Sequence, residues 1–222
     1  MKTCNIIFIH GWLFDSRIWF GIDDLLKQNY NVTKIDLPGY GKNINNTQDF
    51  KNYCEGIFSK TNDNTCLITF SFGNVLTSSP LLKNHKCINK VIYINPVYNL
   101  DITAIEKLKK NLESSRNQTI KKFIFECIKG SFNSKQEYQS IIDNFSINAF
   151  PENKILLNHL DSYIELHKEY TKPKKEINII SQNDYITPNK NIDGYLLKKA
   201  PHIPFISHKK ELYTVITNFL NM

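Results

Sequence analysis

Short apolar runs alternate with amphipathic segments along this chain, and that alternation limits its possible folds more than any other feature. The runs are dense in Ile, Val, Thr, Tyr and Phe, each ends in a turn residue, and they cover residues 5–11, 31–39, 65–71, 90–96 and 177–184. Fully buried parallel strands have this composition. Apolar residues at helical spacing fill the first three intervals, over residues 16–28, 47–60 and 73–84. The alternation predicts an α/β fold with a mostly parallel sheet and right-handed crossovers.

Residues 100–170 interrupt this series, because they contain helical patterns and no strand-like run. The strand series resumes at Ile177. We therefore expect a helical lid inserted within one α/β domain that spans residues 1–222, rather than a second domain. A chain of 222 residues is of ordinary size for a single domain of this class.

Hydrophobic residues make up 41% of the chain and aromatic residues 12%, which is too much for a disordered protein and enough for a buried core. No window reaches the ~18 uninterrupted apolar residues of a membrane span, so we expect no membrane association. The amino-terminal apolar run is interrupted by His10 and Gly11 and is too short for a signal peptide. These features predict a cytoplasmic protein.

The net charge is +7, but the lysines are dispersed rather than gathered in a stripe. Nucleic-acid-binding proteins concentrate positive charge on one face, so we expect no nucleic-acid partner. The charge is compatible with an acidic macromolecule that meets one local basic surface. The five cysteines are scattered and form no C-x-x-C pair, so neither a disulfide framework nor a zinc site is indicated.

The segment ITFSFGNV, residues 68–75, contains most of a G-x-S-x-G motif, in which a serine sits on a strained strand-to-helix turn. Gly73 occupies the second glycine position, whereas Thr69 replaces the first. Because threonine is larger, we expect a slightly displaced helix but an intact turn around Ser71. The alternative is an ordinary serine that caps a helix.

Two further residues make Ser71 a candidate nucleophile. Asp184 ends a strand-like run and His202 follows the final strand-like segment, so Ser71, Asp184 and His202 occur in the chain order of an α/β-hydrolase triad. A serine hydroxyl needs an imidazole to accept its proton, and the imidazole needs a carboxylate to fix its tautomer. No Asp, Glu, His or Cys set has metal-ligand spacing and no phosphate loop is present, so we predict hydrolysis without a metal or a cofactor.

The segment FIHGWLFDSRIW, residues 8–19, follows the first predicted strand, where this class of hydrolase places an oxyanion-hole donor. We predict that the backbone N–H groups of Trp12 and Phe72 stabilise the oxyanion. Such donors lower the barrier by roughly 3–4 kcal/mol each. The alternative is that Gly11 only ends a strand and Trp12 only packs.

Taken together, several motifs resemble the α/β-hydrolase superfamily. Within it, they resemble the esterases that hydrolyse the methyl ester of pimeloyl-[acyl-carrier protein] in biotin biosynthesis. The matching motifs are HGW at 10–12, DLPGYGK at 36–42, the Ser71 turn, NDYITP at 183–188 and APHIPFISHKKEL at 200–212. The last motif is the most specific of them. The resemblance covers most of the chain and is weakest in the lid.

The resemblance implies a substrate and further site residues. It implies that Ser71 attacks the ester carbonyl of a carrier-protein-bound acyl chain. It also implies that Phe123 lines the acyl channel, and that Lys121 and Lys122 contact the acidic carrier protein. Gln118 stands where the family has an arginine, and Leu13 where it has a glycine. We expect the protein to be a monomer.

Two other functions remain compatible with the sequence. One is a short-chain carboxylesterase or thioesterase that acts on free small molecules, whose rate would not depend on salt. The other is a hydrolase-fold binding protein without catalysis, which the replacement at Thr69 suggests. A serine-reactive phosphonate that labels the protein but not Ser71→Ala would exclude the binding-only function.

Overall fold

The computed structural model describes residues 4–61, 64–83, 85–146, 150–171, 176–188 and 192–221. Its centre is a sheet of six parallel strands in the order β2-β1-β3-β4-β5-β6. The strands are β1 Asn5–Ile9, β2 Asn31–Ile35, β3 Thr65–Phe70, β4 Ile88–Ile94, β5 Glu176–Asn183 and β6 Tyr195–Pro201. The predicted parallel sheet is therefore confirmed, and the strand-like segment before His202 is its edge strand β6.

The neighbouring strands β1 and β3 position the site because they are paired in register and almost wholly buried. Ile9 lies opposite Thr69 at the carboxyl ends of these strands. All six residues of β3 are buried. Burying an isoleucine or phenylalanine side chain contributes roughly 1.5–3 kcal/mol, so such continuous apolar runs stabilise only a sheet covered on both sides.

Seven α-helices are present in the described residues. They are α1 Ile22–Leu26, α2 Phe50–Phe58, α3 Ser79–Leu82, α4 Ile102–Ile128, α5 Ser134–Asn144, α6 Asn153–Lys168 and α7 Lys209–Leu220. Helices α4, α5 and α6 lie between β4 and β5 in the chain, where the helical insertion was predicted. Helix α4 is kinked at Ser115. No helix in these ranges is long and apolar enough to cross a lipid bilayer.

Two of the predicted helices are divided rather than continuous. The helix predicted over 16–28 is divided, because Phe20 and Gly21 have left-handed backbones with φ values of 45° and 80°. A short 3₁₀ helix, Ser16–Trp19, precedes the break and α1 follows it.

The helix predicted over 73–84 is also wrong as a single element. Residues Ser71–Thr77 form a 3₁₀ helix, and Ser78 is extended before α3 begins. Pro80 lies in the first turn of α3, where its missing N–H is tolerated. A proline inside a continuous helix would remove a hydrogen bond and clash with the preceding turn, so the helix has to restart here.

Candidate active site

The turn after β3 holds Ser71 in a strained conformation. Its φ is 52°, in the left-handed region that non-glycine residues rarely adopt, and its side chain is buried. A Cβ on Gly73 would lie 2.9 Å from the carbonyl oxygens of both Ile9 and His10. Glycine is therefore required at position 73, because the start of the 3₁₀ helix presses against the end of β1. A strained serine in such a turn is typical of a nucleophile.

Thr69, at the position of the missing glycine, lies within the sheet opposite Ile9 and Tyr93. It is fully buried, and its Oγ1 has no hydrogen-bond partner among the described residues. The turn at Ser71 forms despite the larger side chain. The segment after the turn is a 3₁₀ helix rather than the displaced α-helix that the sequence predicted.

Three buried side chains form a continuous hydrogen-bonded series at the carboxyl ends of β3, β5 and β6. His202 Nε2 lies 3.2 Å from Ser71 Oγ, and His202 Nδ1 lies 2.8 Å from Asp184 Oδ2. The structure thus brings together the three residues that the sequence selected. Each comes from a different strand end, which is where reactive groups gather in open α/β sheets.

The turn after β5 holds the carboxylate of Asp184 in its charged form. Asp184 Oδ1 accepts hydrogen bonds from the backbone N–H groups of Ile186 and Thr187, both at 2.8 Å. Thr187 Oγ1 donates to Asp184 Oδ2 at 2.7 Å. Burial alone would raise the pKa of this carboxyl, but the adjacent His202 and these hydrogen bonds outweigh burial and hold the pKa below its usual value.

A charged Asp184 determines what the imidazole can do. Since the carboxylate only accepts hydrogen bonds, His202 Nδ1 has to carry a proton, and this N–H donates a hydrogen bond to Asp184. The opposite nitrogen, Nε2, is then free to accept the hydroxyl proton of Ser71. The arrangement is chemically able to convert the serine hydroxyl into a nucleophile.

Asn95, directly after β4, supports this series and was missed by the sequence analysis. It is fully buried with a φ of 48°. Its Nδ2 donates to the carbonyl of His202 at 2.7 Å and to Ser181 Oγ at 2.9 Å. Its Oδ1 accepts from the backbone N–H of Ser181 at 2.7 Å. The only sequence signal is an asparagine after a strand, which also fits an ordinary turn.

The two predicted oxyanion donors lie on adjacent segments. The backbone nitrogen of Phe72 is 3.5 Å from the position of a Cβ on Gly11, the residue before Trp12. The Trp12 ring contacts the Phe123 ring edge to face, with centroids 4.9 Å apart. The structure therefore places Trp12 and Phe72 beside Ser71 and brings Phe123 of α4 to the same region.

An apolar cavity of about 630 Å³ opens beside these residues. Phe72 and Phe123 line it, together with Tyr185, Ile186 and Thr187 from the turn that follows Asp184. Residues of the loop after β4 and the start of α4 complete its wall. The cavity is large enough and apolar enough to hold an acyl chain against Phe72, the residue that follows Ser71.

Lys121 and Lys122 precede Phe123 on α4, and both are exposed. Neither lysine lines the cavity. Their position at the outer surface of the helix makes them accessible to a macromolecule, but not to a small molecule held within the cavity.

Fold and site together define the class of this protein. The model of the alpha/beta hydrolase family matches residues 6–122, more than half of the chain. The chain belongs to the alpha/beta hydrolase family.

Curated relatives that align with nearly the whole chain share one name within this family. The chain is 26% identical over 236 residues to the pimeloyl-[acyl-carrier protein] methyl ester esterase of Pseudoalteromonas atlantica, covering 93% of this chain and 90% of that protein. It is 27% identical over 246 residues to the protein of the same name from Wigglesworthia glossinidia brevipalpis, covering 98% and 94%. These alignments include the helical insertion as well as the matched family region.

Solved structures share the fold over the whole chain. The enol-lactonase from Burkholderia xenovorans superposes with a TM-score of 0.80 and 11% identity, covering 100% of this chain and 93% of that chain. The esterase EaEST from Exiguobacterium antarcticum superposes with a TM-score of 0.78 and 15% identity, at the same coverage. At these identities the likeness establishes the fold alone.

Proposed function

We propose that this protein is a serine esterase that hydrolyses the methyl ester of pimeloyl-[acyl-carrier protein], releasing methanol and the free acid for biotin biosynthesis. The hydrogen-bonded series Ser71–His202–Asp184 beside an apolar cavity is the observation on which the proposal depends. The substrate is inferred from the curated relatives, which share that name and align over nearly the whole chain.

The proposed mechanism begins when Ser71 Oγ attacks the ester carbonyl and His202 Nε2 accepts its proton. The negative oxygen that forms is stabilised by the backbone N–H groups of Trp12 and Phe72. His202 then protonates the departing methanol, which leaves an acyl group on Ser71. Water then attacks this acyl-enzyme with His202 again as the base. The bond to Ser71 Oγ breaks as His202 returns the proton to that oxygen, and the free acid leaves; Asp184 stabilises the imidazolium in both steps.

The cavity would hold the methylene chain of the pimeloyl group. Phe123 and Phe72 form apolar walls on which the chain can pack, and removal of each methylene from water contributes about 0.8 kcal/mol. We propose that helices α4, α5 and α6 act as the lid over this chain, within a single domain.

The carrier protein would contact α4 from outside. Lys121 and Lys122 are exposed beside Phe123, so an acidic carrier that binds them brings its acyl chain to the cavity. Attraction between exposed charges weakens with salt. We therefore expect turnover of the carrier-bound ester to fall with ionic strength, and the charge-reversed double variant Lys121→Glu/Lys122→Glu to raise KM.

The test is demethylation of pimeloyl-[acyl-carrier protein] methyl ester by the wild type, by Ser71→Ala and by Ser207→Ala. Ser207 is exposed and outside the site, so its variant controls for the substitution itself. We expect turnover in the wild type and Ser207→Ala, and none in Ser71→Ala. A folded wild type that hydrolyses free monomethyl pimelate at a salt-independent rate, but not the carrier-bound ester, would instead identify a small-molecule esterase.

A further inference from the structure

One face of helix α6 contacts every segment that bears a proposed oxyanion donor. Leu156, His159 and Tyr163 are spaced three and four residues apart, so they lie on the same side of the helix, and all three are buried. Three separate contacts lead from this face to Trp12, to the residue after Trp12, and to Phe72.

The first contact holds Trp12. Its indole Nε1 donates a hydrogen bond to the carbonyl of Leu156 at 3.1 Å, across 144 residues of sequence. A buried hydrogen bond of this kind fixes the plane and position of the indole. The side chain of Trp12 is thereby tied to the first turn of α6, the last helix of the insertion.

The second contact passes through Tyr40 to Leu13. The backbone N–H of Leu13 donates to Tyr40 Oη at 3.3 Å. The Tyr40 ring stacks on His159, with centroids 4.7 Å apart and an interplanar angle of 24°. Because Leu13 has a strained φ of 74°, the loop needs outside support to keep this conformation.

The third contact reaches the other donor. The Phe72 ring stacks on Tyr163, with centroids 4.9 Å apart and an interplanar angle of 23°. Tyr163 is fully buried and also contacts Phe50 of α2, so its ring is held from the core side. A shift of Tyr163 would therefore move Phe72, the residue after Ser71, together with its backbone N–H.

We propose that α6 sets the geometry of the oxyanion hole, with Tyr163 and His159 as positioning residues that act through Phe72 and Tyr40. The inference depends on the proposed catalytic roles of Ser71, Trp12 and Phe72. Two helices of the proposed lid then have different roles: α6 supports the segments that carry the oxyanion donors, while α4 supplies wall residues for the acyl chain.

Ordinary core packing would also place these rings together. The test therefore has to separate an effect on the geometry of the oxyanion hole from an effect on the stability of the fold. Oxyanion donors act mainly in the transition state, and displacing one lowers kcat while leaving ground-state binding intact. An alkylboronic acid forms a tetrahedral adduct on a serine oxygen and reports the same geometry without turnover. Core packing alone would change neither kcat nor boronate affinity in a protein that remains folded.

The decisive variant is Tyr163→Leu, assayed on p-nitrophenyl butyrate below its unfolding temperature. We expect kcat to fall about 10- to 100-fold, with KM within about two-fold of the wild type, because a misplaced donor loses much of its effect. The inhibition constant of butylboronic acid should rise by a similar factor. Tyr163→Phe keeps the ring, removes only a hydroxyl that has no hydrogen-bond partner among the described residues, and should retain the kcat of the wild type.

Leu160→Ala is the matched control for lost stability. Leu160 is fully buried on the same helix and takes part in none of the three contacts, so its variant should unfold at lower temperature with kcat unchanged. If Tyr163→Leu behaves like Leu160→Ala, the proposal is wrong. Should Tyr163→Leu fail to fold, Trp12→Phe tests the same idea, since it keeps an aromatic ring but loses the indole N–H that bonds to Leu156, and kcat should fall with little change in KM.

The outcomes also separate this inference from the proposed substrate. Activity on p-nitrophenyl butyrate without activity on the carrier-bound ester would overturn the substrate assignment and leave the test of α6 intact. A folded wild type with neither turnover nor a boronate adduct would overturn both.

Discussion

The backbone N–H of Leu37 donates a hydrogen bond to Nε2 of His10 at 3.0 Å. Since an amide can only donate here, Nε2 carries no proton, and Nδ1 must be the nitrogen that donates to the carbonyl of Gly11 at 2.8 Å. His10 is therefore neutral in the folded protein. Burial lowers its pKa, and this effect outweighs the opposing influence of the Gly11 carbonyl and the nearby carboxylates.

Acid should destabilise the fold through such buried histidines. Burial lowers the pKa of His159 to about 3, whereas an unfolded histidine titrates near 6.5. The unfolded chain therefore binds a proton first, and the stability present above pH ~6.5 is lost as the pH falls towards 3. Between pH 7 and 4.5 we expect the free energy of unfolding to fall by about 2 kcal/mol for His159 alone.

Denaturant unfolding of the wild type and His159→Gln at pH 7, 5.5 and 4.5 measures this effect. The variant should be less stable at pH 7 but should lose less stability on acidification. Parallel pH profiles for the two proteins would contradict the prediction.

Asn95 should be needed for the position of His202. In Asn95→Asp, a carboxylate oxygen replaces the Nδ2 that donates to the His202 carbonyl, so two acceptors face each other. We expect the unfolding free energy to drop by about 2–4 kcal/mol and kcat to drop at least tenfold in the folded protein. Ser181→Ala is the control, because it removes one partner of Nδ2 and keeps the bond to His202. Equal kcat values for the two variants would refute this role.

The hydroxyl of Thr69 should be a cost to stability. Its buried Oγ1 has no partner within the described ranges, so the near-isosteric Thr69→Val should stabilise the protein by about 1 kcal/mol. Thr77→Val is the matched control, since Thr77 Oγ1 donates to the Asn74 carbonyl at 2.8 Å and contacts Tyr93 Oη at 3.0 Å. Thermal unfolding should show Thr69→Val above the wild type and Thr77→Val below it.

At position 13, the glycine variant should be more stable than the alanine variant, which is the reverse of the usual order. Both Leu13→Ala and Leu13→Gly lose a buried side chain, which should lower the free energy of unfolding by about 2–5 kcal/mol. This loss exceeds the strain energy of a positive φ, so both variants should be less stable than the wild type. Only glycine relieves that strain, so Leu13→Gly should be about 1 kcal/mol more stable than Leu13→Ala. Alanine is ordinarily the more stable of the two, and finding that order here would show that position 13 is unstrained.

The parts of this molecule that depend on local pattern could be predicted. Buried parallel strands are recognisable in the sequence as apolar runs. Because Ser71, Asp184 and His202 each follow such a run, their proximity could be inferred from the predicted sheet alone. The helix at 73–84 was mispredicted because apolar spacing does not distinguish one α-helix from a 3₁₀ segment that restarts at Pro80.

The supporting contacts could not be predicted, for a different reason. Asn95 meets His202 across 107 residues of sequence, and Trp12 meets Leu156 across 144. Neither pairing has a periodic pattern. The first depends on how the ends of β4 and β6 meet in the finished sheet, and the second on how α6 packs against the loop after β1. The predicted roles of Trp12, Phe72 and Phe123, and of Lys121 and Lys122, stay predictions until the variants are measured.

The left-handed backbone at Ser71 also restricts which amino acids can replace this serine during evolution. Threonine carries the same hydroxyl, but a β-branched side chain at a φ of 52° crowds its own main chain, so it is a poor substitute as the nucleophile. Cysteine and alanine lack that branch and fit the turn more easily. Descendants of this chain are therefore more able to become thiol enzymes, or to lose catalysis altogether, than to exchange one hydroxyl for another.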